Sequence, residues 1–106
     1  MIKIIDGKKY DTKKAEELHS WSNIGSVNSI SDFGYYEETL HMTKNGAFFL
    51  SGVGGASSPY SEPVSGGRGA GEDIRPITEA EAMTWLERHD GEEILLSRFA
   101  DHIKEA

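Results

Sequence analysis

A chain of 106 residues with 37% hydrophobic content has room for one domain and one modest core. Eleven Lys and Arg against eighteen Asp and Glu leave a formal charge of −7, which argues against a protein built to neutralise nucleic-acid phosphates. The absence of cysteine excludes a disulfide framework, thiolate zinc ligation and cysteine nucleophiles, and suits a reducing cytoplasm. Apolar runs such as Ala47–Leu50 are too short to cross a bilayer, and the opening Met1–Ile5 stops at Asp6-Gly7 instead of continuing as a leader.

Ile2, Ile4 and Ile5 form a β-branched run that ends at Asp6-Gly7, a dipeptide suited to a type I′ turn, so Lys8-Lys9-Tyr10 is expected to pair back as a second strand. Asp11 and Thr12 are good N-cap residues, and Ala15, Leu18 and Trp21 recur at helical spacing. Residues 13–20 therefore read as a short helix, and the polar residues 22–31 as a loop. Lys44-Asn45-Gly46 between the runs Tyr35–Thr43 and Ala47–Val53 predicts a hairpin. A two-residue Asn45-Gly46 turn would set Met42 opposite Phe49, Thr43 opposite Phe48 and His41 opposite Leu50. Leu40, Met42 and Phe49 would then share one face, with Phe48 and Leu50 on the other. Both faces need cover, from helices on one side and from a long loop or a partner on the other.

Residues 54–73 hold six of the twelve glycines, two of the three prolines and four serines, the composition of a flexible loop. Ile74-Arg75-Pro76-Ile77 reads as a short edge strand, where proline is tolerated. Thr78 and Glu81 form a capping box that opens a helix reaching about His89, with Ala82, Trp85 and Leu86 on one stripe. Asp90-Gly91 breaks that helix. Asp90 with Glu93 offers a second capping box, and Leu95, Phe99 and Ile103 stripe the helix that follows. The fold class expected is α+β: a single domain over residues 1–106, with an antiparallel sheet around a central hairpin packed against two or three helices.

The glycine run Gly66-Gly67-Arg68-Gly69-Ala70-Gly71 lacks the Gly-Lys-Ser/Thr and strand–helix context of a phosphate loop, and Glu72-Asp73 behind it would repel an anion. It reads first as a flexible loop, and second as an interaction loop with Tyr60 and Arg68 as contacts. His19, His41, His89 and His102 show no i, i+4 pair for a metal. Glu37 and Glu38 alternate across a strand, and Ser57, Ser58 and Ser61 have no evident base, so neither metal, cofactor nor enzymatic chemistry is expected. Charge is unevenly spread: residues 1–14 carry five lysines against Asp6 and Asp11, whereas ten acids and four bases lie from Glu72 onward. The negative helices, through Glu79, Glu81, Glu87, Glu92 and Glu93, could occupy a basic, nucleic-acid-binding surface on another protein.

Three stretches carry a family resemblance: Lys9-Tyr10-Asp11-Thr12 with Ala15 and Ser22-Asn23; Glu38-Thr39-Leu40, Thr43-Lys44, Gly46, Phe48-Phe49-Leu50, Gly52, Gly54-Gly55 and Tyr60; and Ile74, Pro76, Thr78, Glu81-Ala82 and Trp85-Leu86-Glu87. Together, over most of residues 9–90, they resemble small proteins of bacterial phages and integrated mobile elements, some with anti-CRISPR activity. The resemblance implies a cytoplasmic, non-enzymatic inhibitor whose partner is a CRISPR–Cas effector, of Cas9 type by preference, with no direct nucleic-acid or membrane contact. It brings no catalytic residues. The alternative is a mobile-element adaptor that binds a protein through the glycine-rich segment. That segment departs from the aromatic or Ser-rich stretch the family carries before its last strand.

Overall fold

The computed structural model describes residues 1–106. Asp6 and Gly7 both take positive φ (51° and 75°), the requirement of a type I′ turn, and close the hairpin of β1 (Ile2–Ile5) and β2 (Lys8–Asp11). Residues 13–20 are not a helix. The chain passes through a turn in which Asp11 accepts from the backbone of Lys14 and Ala15, then runs as β3 (Glu16–Ser22). Its register against the next strand slips between Glu17 and His19, so Leu18 is an extra, bulged residue. The bulge lets Leu18 and Trp21, three apart, both reach the same core, which produces helix-like spacing in a strand.

β4 (Tyr36–Met42) and β5 (Phe48–Gly54) form the expected central hairpin, with a longer turn than expected. Gly46 N–H donates to Thr43 O (3.0 Å), Thr43 N–H donates to Ala47 O (2.8 Å), and Gly46 sits at φ +84°. A three-residue loop of this kind changes the pairing by one residue: Met42 faces Phe48, His41 faces Phe49 and Leu40 faces Leu50. Leu40, Met42, Phe48 and Leu50 therefore share one side, and His41 and Phe49 the other, which corrects the expected faces.

The glycine-rich segment is folded. Its first part is pinned by Gly55 N–H to Tyr35 O and Ser57 N–H to Phe33 O. A small hairpin follows, β6 (Glu62–Val64) and β7 (Gly67–Gly69), and β8 (Gly71–Ile77) adds to the sheet beside β5. The main sheet runs β3-β4-β5-β8, all antiparallel, with Pro76 on an edge strand as its missing N–H requires.

Helix α1 (Glu79–Arg88) starts at the expected box: Thr78 Oγ1 accepts from Glu81 N–H and Glu81 Oε1 accepts from Thr78 N–H. The second box does not form. Asp90 turns left-handed (φ 59°), Gly91 is the N-cap of α2 (Glu92–Arg98), and no side chain caps that end. α2 stops at Arg98, so Leu95 and Phe99 are buried while Ile103 lies beyond the helix and is exposed.

The sheet thus has a core on each face. On one, α1 and α2 bring Ala82, Trp85, Leu86, Leu95 and Phe99 against Leu18, Leu40, Phe48 and Leu50. On the other, Tyr10 packs edge-on to Phe49 (5.5 Å between rings) beside Ile74, so the β1–β2 hairpin covers what a loop or partner was expected to cover. The domain is α+β: an antiparallel sheet with helices on one face and a hairpin on the other.

Candidate functional site

The five carboxylates singled out in the sequence, Glu79, Glu81, Glu87, Glu92 and Glu93, are all exposed on the helical layer. They are not equivalent. Glu81 is spent on the capping box, and Glu79 Oε1 lies 3.3 Å from His102 Nε2. Glu87 near the end of α1, and Glu92 and Glu93 in the first turn of α2, take part in no ion pair within the chain. The α2 pair also sits at the positive end of its helix, where a negative charge is locally favoured. An open groove of about 400 Å³ runs beside α1, floored by Leu50 and Ile77 and walled by Thr84, Trp85 and Arg88.

Tyr60 is not a surface contact. It is 3% exposed and lies over Gly52, where even a methyl group would overlap its ring. Its hydroxyl donates to Glu38, whose other oxygen accepts from Trp85 Nε1–H at 2.9 Å. Burial, together with the Glu38 carboxylate, pushes the phenol pKa well above its ordinary value and keeps it a donor. Arg75 stacks on the ring (4.2 Å to its centroid) and donates to Pro59 O at 2.7 Å. Glu38 thereby ties strand, glycine-rich segment and helix together, a role the sequence reading missed because it counted Glu38 as a strand carboxylate. Gly52 inside a β-strand was the available signal, since glycine there marks a close approach.

Arg68 is exposed on β7, but its guanidinium turns back: Nε donates to Ser61 Oγ (2.8 Å) and Nη2 to Ser61 O (2.7 Å). It staples the base of the β6–β7 hairpin. Tyr60 and Arg68 therefore do not form a joint contact patch.

The histidines separate as well. His41 is buried against Phe49 (4.6 Å, near-parallel rings), with Nε2 bonded to Ser51 Oγ at 2.8 Å. His89 lies between Trp21 (3.9 Å) and Trp85 (4.9 Å), and its carbonyl pairs with His19 Nε2 at 2.8 Å. Burial lowers the pKa of both His41 and His89, and nearby carboxylates (Glu17 for His41, Glu38 for His89) only partly oppose it. No three His, Asp or Glu side chains come together as a metal-ligating group. No known protein family matches the chain, and no curated protein or solved structure is similar to it.

Proposed function

We propose that this protein is a non-enzymatic inhibitor of a bacterial CRISPR–Cas effector, of Cas9 type by preference. It sets its helical face against a basic nucleic-acid-binding surface and so blocks DNA or guide engagement. The observation that carries this reading is the set of exposed, internally unpartnered carboxylates Glu87, Glu92 and Glu93 on adjoining helices. A surface built to hold phosphates presents Lys and Arg, and free carboxylates meet them at long range, giving fast and salt-sensitive association.

The test is a target-cleavage assay with purified effectors, adding the protein before guide, after guide, or after target DNA. Inhibition of an effector that disappears once DNA is bound is the expected result. Charge reversal at Glu87, Glu92 and Glu93 together should abolish it, and raising salt should weaken it steeply. Glu81 is left untouched because its loss would damage the capping box. Undiminished inhibition by the triple variant would overturn the acidic-face mechanism.

The second reading, an adaptor, draws on the β6–β7 hairpin, a separate two-stranded unit with Pro63 and Val64 exposed. Because Glu62 pairs with Gly69, residues 63–68 between them can be replaced by a tight Asn-Gly link that leaves Tyr60 in place. An acidic-face inhibitor survives that replacement, and a hairpin-mediated adaptor does not.

A further inference from the structure

The fold brings together lysines that the sequence separates. Lys9 on β2 and Lys14 in the following turn meet Lys44 in the β4–β5 turn, around a cleft of about 260 Å³ that also includes Asp11, Thr43 and Asn45. None of the three lysines takes part in an ion pair within the chain. The one carboxylate of the cleft, Asp11, already accepts from Lys13 N–H at 2.9 Å. Thr43 Oγ1 accepts from Ala47 N–H (3.0 Å), which leaves its own proton to donate outward. The backbone N–H groups of Lys44 and Asn45 find no acceptor in the chain. The cleft is thus lined mainly by donors and cations.

We propose that this cleft is a phosphate-binding site for the backbone of a single-stranded nucleic acid. Two features favour a polyanionic strand over a small anion or a lipid surface. Lys8 at the start of β2 and Lys13 in the turn after it, both exposed and unpaired, add positive charge outside the cleft within the same N-terminal segment. The three lysines also line one concavity, which suits a threaded phosphate better than a flat bilayer. Glu17, exposed on the hairpin face two residues beyond the cleft, opposes it, but the acidic helices lie across the sheet, about 10 Å or more away, and the screening length at physiological salt is about 8 Å. The net charge of −7 therefore weakens this site without cancelling it. The site does not depend on the inhibitor reading, because it is tested with no effector present.

The experiment is fluorescence anisotropy of a labelled oligouridylate with the full chain in low salt. Binding is expected, with log K falling against log salt at a slope of about −2, as three phosphate contacts on a single strand predict. The K9Q/K14Q/K44Q variant should lose tenfold or more, and K9R/K14R/K44R should retain binding. Circular dichroism checks that both variants fold. Absence of binding at low salt, equal binding by the glutamine variant, or retention by anionic vesicles but not by the oligonucleotide would each overturn the proposal.

Discussion

His41 shows how one side chain couples this fold to pH. It is 1% exposed, and its Nδ1 has no hydrogen-bond partner in the chain. Its folded pKa lies below the ordinary 6.5, so the native state binds fewer protons than the unfolded chain once pH drops past that value. Stability is whole above that point and falls as the pH moves down from it toward the folded pKa. His89 adds a loss of the same sign. Asp73 contributes only at lower pH. Burial works against its carboxylate, but Lys3, the Ile74 N–H and Arg75 outweigh burial and hold its pKa below 3.8, so its contribution disappears only as pH drops from there. Urea unfolding between pH 7.5 and 5.5 should show the histidine loss, and His41→Gln should make it shallower, leaving the part that His89 contributes. An unchanged slope in that variant would assign the effect elsewhere. Two other single residues have large expected effects. Thr78→Ala removes the capping hydroxyl and should cost about 1 kcal/mol, visible as a fall in Tm of about 4–8 °C. Gly52→Ala forces the Tyr60 ring off the sheet and should cost about 1–3 kcal/mol.

At the scale of elements, what the sequence could reveal depended on how local the determining chemistry was. The Asp6-Gly7 turn and the Thr78–Glu81 box are written in adjacent residues, and both form as read. β3 was misread because its bulge at Leu18 gives a strand the three-residue spacing of a helix. The central hairpin was placed, but its pairing turned on whether Lys44 belongs to the strand or the turn, and Thr43 settles this by bonding across the loop to Ala47. Residues 54–73 lack strand-forming composition. Their order comes from elsewhere, through Tyr35, Phe33, Gly52 and Glu38. Of the candidate site, the exposure of the helical glutamates was legible; the burial of Tyr60 and the meeting of Lys9, Lys14 and Lys44 were not, because each depends on contacts between distant segments. Glu38 is the element-scale test of the Tyr60 anchor. Glu38→Ala leaves the Tyr60 hydroxyl and the Trp85 indole N–H without their acceptor and should cost about 2 kcal/mol. Faster proteolysis within residues 55–70 should accompany that loss, since the segment loses the anchor of its only buried aromatic ring.

Across the whole molecule, the N-terminal segment and the helices, on opposite sides of the sheet, differ in charge. Residues 1–14, on the hairpin side, carry five lysines against two aspartates, while the helical side carries Glu79, Glu81, Glu87, Glu92 and Glu93. The inhibitor reading uses the helices and the phosphate cleft the N-terminal segment. The two surfaces can be inactivated separately: the triple glutamate reversal should leave oligouridylate binding at least as strong, and the triple lysine variant should leave folding unchanged. A slab charged this way is an electric dipole, and it will not lie on a charged support at random. On a cationic bead or sensor chip it settles helices down, hiding Glu87, Glu92 and Glu93 and displaying its amines; on an anionic one it turns over. Capture chemistry alone can then decide which partner an immobilised sample retains.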